Sequence, residues 1–278
     1  MQLSRLSGVV LFCALPLCAA VTGVEVVDRS DVLGGRSTGP AGPYERIIAK
    51  VRFAVDPRLR QNDAVRGLKL APRNEQGLVG FSADLYVLKP RDRAKGNGTV
   101  LFEVSNRGGK GMLSRFNYAK GSADPRTEAE FGDMNLLEQG YTLMWLGWQW
   151  DTPPGDKLLR LDAPIATEAG RAIQGLVRSE YIPDARTNRM ELSDRKHTTY
   201  AAVDAPATLT VRPTVLGQRK AIAKSQWKFT EDRTAVEMES GFQPGQIYEV
   251  VYTAENPRVE GLGLAAVRDG ISFMKYGG

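Results

Sequence analysis

The chain has 278 residues, 37 Lys and Arg against 32 Asp and Glu, one histidine and two cysteines. A formal charge of +5 dispersed over that length excludes the concentrated basic surface that nucleic acid requires. Both cysteines, Cys13 and Cys18, lie in the first twenty residues, so the rest of the chain has no thiol nucleophile, disulfide or cysteine metal ligand and must be stabilised by core burial.

The opening "MQLSRLSGVVLFCALPLCAA" carries Arg5, then an apolar run, then small residues. This pattern predicts a secretory signal peptide over residues 1–20 and export to a periplasmic or extracellular compartment. Without it the formal charge is +4, because Arg5 is its one charged residue. No later segment reaches the roughly 18 continuous apolar residues of a membrane helix, so no membrane span is expected.

"GRSTG", Gly35 to Gly39, satisfies the G-x-S-x-G pattern of a nucleophile turn. That turn needs a strand before the serine and a helix after it. Pro40 and Pro43 resist such a helix, so Ser37 is read as a loop residue.

Strand patterns follow at 44–57, 63–73 and 79–92; in the last, Phe81, Ala83, Leu85 and Val87 share one face. The nearly continuous apolar run "TVLFEVS", 99–105, predicts a covered central strand. "DPRTEAEFGDMNLLEQG", with early acids, an apolar side at Leu136 and Leu137 and a terminal Gly140, predicts a helix, and "YTLMWLGW" predicts a second buried strand containing Trp145. Strand, glycine loop, helix and strand at this spacing predict that 99–105 and 141–147 are parallel neighbours.

From 157 to 245 short strand-like pieces, "GLVRSEYI", "ATLTVRP" and "KSQWKFTE", predict a β-rich insertion. "QIYEVVYTA" then reads as a return to the first sheet, and the tail as a helix with Leu264, Val267, Ile271 and Met274 at helical spacing. The expected fold class is a partial, mostly parallel α/β sheet with antiparallel strands at its amino-terminal side. It occupies residues 21–156 and 246–278 around the insertion at 157–245.

No cofactor is expected. His197, three residues after Asp194 in "SDRKHTTY", has no second histidine near it and reads as a surface residue. "RVEGLGLAA" has two glycines of a dinucleotide loop but alanine at the third position, and no acidic residue about 20 positions later.

The blocks "LGGRSTGPAGPYERIIAKVRFAVDP", "GNGTVLFEVSNRGGK", "LLEQGYTLMWLGWQWD", "GFQPGQIYEVVYTAENP" and "GLGLAAVRDGISF" resemble, in order, the amino-terminal portion of a bacterial family of alpha/beta hydrolase domain-containing proteins. The resemblance implies a serine hydrolase acting on a carboxylic ester or related acyl substrate. Its nucleophile turn, acid and histidine would come from sequence beyond Gly278, leaving this chain inactive alone and without a catalytic residue of its own.

It also implies that "SNRGGKG" occupies the place of the oxyanion loop, with Gly108 and Gly109 as donors of backbone N–H groups and Asn106, Arg107 and Lys110 beside them to hold an anionic group. Trp148 and Trp150 stand at the carboxyl end of the predicted strand, where they either line an apolar substrate pocket or pack beneath the insertion. Asp151 is read as holding a loop. A non-catalytic binding or structural protein is the alternative, and Leu264, Ile271 and Met274 over an open sheet edge suggest self-association.

Overall fold

The computed structural model describes residues 21–155, 157–193 and 199–277. The signal-peptide reading and the readings of Asp194 and His197 lie outside the described residues. Among the described residues fifteen strands, five of them only two or three residues long, are arranged in sheets that are antiparallel at every junction except one.

The first sheet contains β1 (Val21–Asp31), β2 (Tyr44–Val55), β3 (Val79–Pro90), β4 (Val100–Glu103), then the short helices α1 (Met112–Phe116), α2 (Glu128–Phe131) and α3 (Asn135–Glu138) as a crossover to β5 (Thr142–Leu146). Its order is β1-β2-β3-β5-β4, with β6 (Leu161–Asp162) added to β3. Period-two alternation explains its two-sided burial. Phe81, Ala83, Leu85 and Val87 of β3 enter one core with Val51 and Phe53 of β2, while Tyr86 and Leu88 enter the opposite core with Leu113, Phe131 and Leu137 of the crossover. Phe53 and Phe81 stack at 4.8 Å between ring centroids, a contact that adds to their area burial.

The following strands are β7 (Thr167–Glu168), β8 (Arg171–Ala172), β9 (Gln174–Tyr181), β10 (Thr187–Glu191), β11 (Thr208–Arg212), β12 (Lys220–Ile222), β13 (Trp227–Phe229), β14 (Ala235–Phe242) and β15 (Ile247–Glu255), before α4 (Leu262–Tyr276). Two sheets, β10-β14-β13 and β12-β11-β15-β9, enclose a third core containing Met190, Trp227, Phe242, Val250 and Tyr252. Helix α4 returns to the first sheet, where Leu262 and Ala266 pack with Met144 and Leu146.

The expectation of a mostly parallel α/β sheet is corrected. β4 and β5 are parallel neighbours, Leu101 opposite Leu143, but every other pairing is antiparallel, and β15 joins β9 and β11 rather than the first sheet. A parallel neighbour needs a crossover of a dozen or more residues. The three short helices between β4 and β5 supply that crossover, whereas other long connections, such as residues 56–78 between β2 and β3, return the chain antiparallel.

Two local readings change as well. Residues 63–73 do not form a strand, since Gly67 turns the chain at φ +74° and Leu68–Leu70 close a single tight helical turn. The helix over 124–140 is interrupted at Gly132, where φ is +68° and an added Cβ would lie 1.8 Å from the Asn117 carbonyl oxygen.

β1 is an edge strand with register irregularities at Thr22 and Val27, the second leaving Val27 unopposed between the Val26–Ala49 and Asp28–Ile48 pairs. β4 is the other edge, only four residues long, opening on exposed Val100 and followed by exposed Val104. Among the described residues no helix is long and apolar enough to cross a membrane.

Candidate functional site

Because β4 and β5 run parallel, their carboxyl ends lie on the same side and the loops that follow them converge, the place where ligands bind in open sheets containing parallel strands. The first loop turns at Arg107 (φ +49°) and Gly108 (φ +73°). Gly108 is required by space as well as by conformation: a Cβ there would lie 2.4 Å from the Leu159 carbonyl oxygen and 2.6 Å from its nitrogen.

The second loop holds the first. Gln149 Oε1 accepts the Arg107 backbone N–H at 2.7 Å, Asp151 pairs with the Arg107 guanidinium, and Trp148 Nε1 donates to the Ser105 carbonyl. The Leu159 N–H donates to the Gly108 carbonyl at 3.1 Å, closing the turn from the other side. Glu103, at the end of β4, accepts the N–H groups of Gly111 and Met112 at the start of α1 and the indole N–H of Trp145. Ser105 is fully buried and its hydroxyl has no hydrogen-bond partner among the described residues.

The expected site residues are thus brought together only in part. Asn106, Arg107, Gly108, Gly109 and Trp148 belong to one contact cluster, and Asp151 holds the loop as its position suggested. Gly109 uses its amide within the turn, donating to the Asn106 carbonyl at 3.1 Å. Lys110 leaves the loop altogether: its amine donates to the carbonyls of Ala123 and Lys157 and lies 4.6 Å from the centre of the Tyr86 ring. Burial lowers its pKa to about 8.

Lys110 belongs instead to a buried ionic cluster beneath the loop. Asp124 accepts from Arg46 Nη1 at 2.6 Å, Lys157 Nζ at 2.7 Å, Arg126 Nε at 3.0 Å and the Tyr86 hydroxyl at 3.0 Å. Burial raises the Asp124 pKa, but these donors together outweigh it and hold the carboxyl below its ordinary range. Burial pushes the Tyr86 hydroxyl up.

Trp150 faces the second group of sheets rather than the glycine turn. Its ring meets Tyr200 at 5.1 Å, and both line a cleft of about 570 Å³. Tyr200, Arg233 and Arg258 of this cleft carry no periodic or motif signal in the sequence; the aromatic neighbours of Trp150 are set by long-range pairing alone.

Ser37 is exposed in a loop pinned by its bridge to Pro43, and its hydroxyl contacts the Gly39 carbonyl at 3.3 Å. No strand-to-helix turn surrounds it. No protein-family model, curated protein or solved structure matches the chain.

Proposed function

We propose that this chain bears the oxyanion-loop portion of a secreted serine hydrolase acting on a carboxylic ester or related acyl substrate, and that residues 21–277 do not turn over esters by themselves. The observation supporting this reading is the convergence of the Ser105–Gly109 turn with the Trp148–Asp151 loop at the carboxyl ends of the one parallel strand pair. A backbone turn locked on two sides presents its dipoles without reorganisation, which favours charge developing in an acyl-transfer transition state. Serine hydrolysis also needs a base within reach of the nucleophile. The chain's one histidine is His197, and the G-x-S-x-G stretch that precedes it, at Ser37, is a loop and not the strand-to-helix turn that such a base would serve.

Labelling of the natural gene product with a fluorophosphonate tests the reading. A labelled serine outside residues 21–277 is expected, while the purified chain leaves 4-nitrophenyl acetate at its buffer rate. Gly108→Ala should suppress labelling through the backbone collision described above, whereas Gly109→Ala, at φ −71° with its nearest contact at 3.4 Å, should retain it. Labelling at Ser37 or Ser105, or an unlabelled natural product, overturns the proposal.

A further inference from the structure

The cleft beside Trp150 has a composition distinct from the glycine turn. The Trp150 and Tyr200 rings are tilted by 42° and form an apolar corner. Tyr200 is fixed at both ends, its carbonyl accepting from Tyr252 Oη at 3.0 Å and its hydroxyl accepting the Arg258 backbone N–H at 3.0 Å. The Arg258 guanidinium stands 5.9 Å from the Trp150 ring centre and is held by the Ala163 carbonyl. In the same lining, Arg233 meets Asp204 at 3.1 Å, and the Asp204 side chain is fully exposed, so water and ligands compete readily for both groups. Glu255 provides a second carboxylate.

We propose that this cleft binds a neutral saccharide unit. A sugar ring offers a weakly polar C–H face to an aromatic surface and a rim of hydroxyls that both donate and accept. The cleft provides the complementary set: an aromatic corner, two guanidinium groups as donors, two carboxylates as acceptors, and no net charge among them. An anion would meet Asp204 and Glu255, and an apolar ligand would strip water from four ionised groups without replacing its hydrogen bonds. The assignment stands on the cleft alone and does not require ester turnover by the neighbouring turn.

The test is calorimetry and saturation-transfer NMR on the purified protein with cellobiose, xylobiose, maltose and N,N′-diacetylchitobiose, with benzoate and cyclohexanol as the charged and apolar controls. Saturable binding of at least one disaccharide near about 1 mM is expected, weakened about tenfold or more by Trp150→Ala and by Arg233→Gln. Arg233 is a partly exposed residue whose replacement leaves the aromatic corner in place, so it keeps the test valid should Trp150→Ala fail to fold. The proposal is overturned by the absence of binding below about 10 mM for all the disaccharides, by affinity unchanged in both variants, or by tighter binding of either control.

Discussion

Replacing Gly263 by alanine is expected to loosen α4 from the first sheet and cost at least about 3 kcal/mol. Gly263 is buried near the start of the helix, where an added Cβ would lie 1.8 Å from the Trp148 carbonyl oxygen and 2.8 Å from its carbonyl carbon. Neither partner can yield locally: Trp148 lies two residues past the end of β5 and is tied to Ser105, while the helix is anchored by Leu262 and Ala266 in the core and by Arg268 on Asn62 at 3.0 Å. The helix must therefore move as a body and lose part of that packing. Urea and thermal unfolding followed by circular dichroism give the measurement. Gly270→Ala is the control, because its Cβ meets only Leu146 Cδ2 at 3.4 Å in a helical conformation and should change stability by no more than about 1 kcal/mol. Equal unfolding midpoints for Gly263→Ala and the parent would refute the close approach.

Asp124→Asn should have a comparable effect, about 3–5 kcal/mol, for an electrostatic reason. The carboxylate and Arg46 are both almost fully buried, their side chains 3 % and 4 % exposed, so removing the negative charge leaves a desolvated guanidinium with Asp28 and Ser30 as its remaining side-chain partners. The effect has a definite pH signature. The folded carboxyl titrates below its ordinary value of 3.8, so its stabilising contribution is complete above that value and declines as pH falls below it toward the folded pKa. The stability gap between parent and variant, measured in urea, should be widest near neutrality and should narrow in acid. A gap of constant size from pH 7 to pH 3 would show that charge is not its source.

The strands that bury one or both faces were legible because burial imposes a side-chain period. Phe81, Ala83, Leu85 and Val87 alternate in sequence and enter one core together, and Leu143 to Leu146 form an apolar run with two covered faces. β1 was not legible: most of its residues are exposed, so "VEVVDRSD" has no pattern to enforce. Nor was strand direction. One βαβ unit was real, but extending its parallel character to β15 assumed a partner, and partners are chosen over separations such as Val250 to Ser179 that leave no local trace.

The same division governs the site. Glycines at 108 and 109 after an apolar run mark a turn at a strand end, so the turn itself could be placed from sequence. Spacing alone could not reveal that Lys110 crosses to a different cluster, because the backbone direction after Gly109 depends on Leu159 and the crossover helices. The partners of Trp150 lie 50 and 108 residues away at Tyr200 and Arg258, beyond the reach of any local pattern.

The two borders of the first sheet differ in what they allow between molecules. At β1 the paired irregularities and the charges of Glu25, Asp28, Arg29 and Asp31 deny an incoming strand a regular ladder, whereas the short β4 border is plain. Two copies meeting through β4 would thus place a β1 at each outer end of the joined sheet, and both ends would be terminators. Such geometry closes the joining of first sheets at a pair, because neither outer β1 offers a further copy a regular ladder.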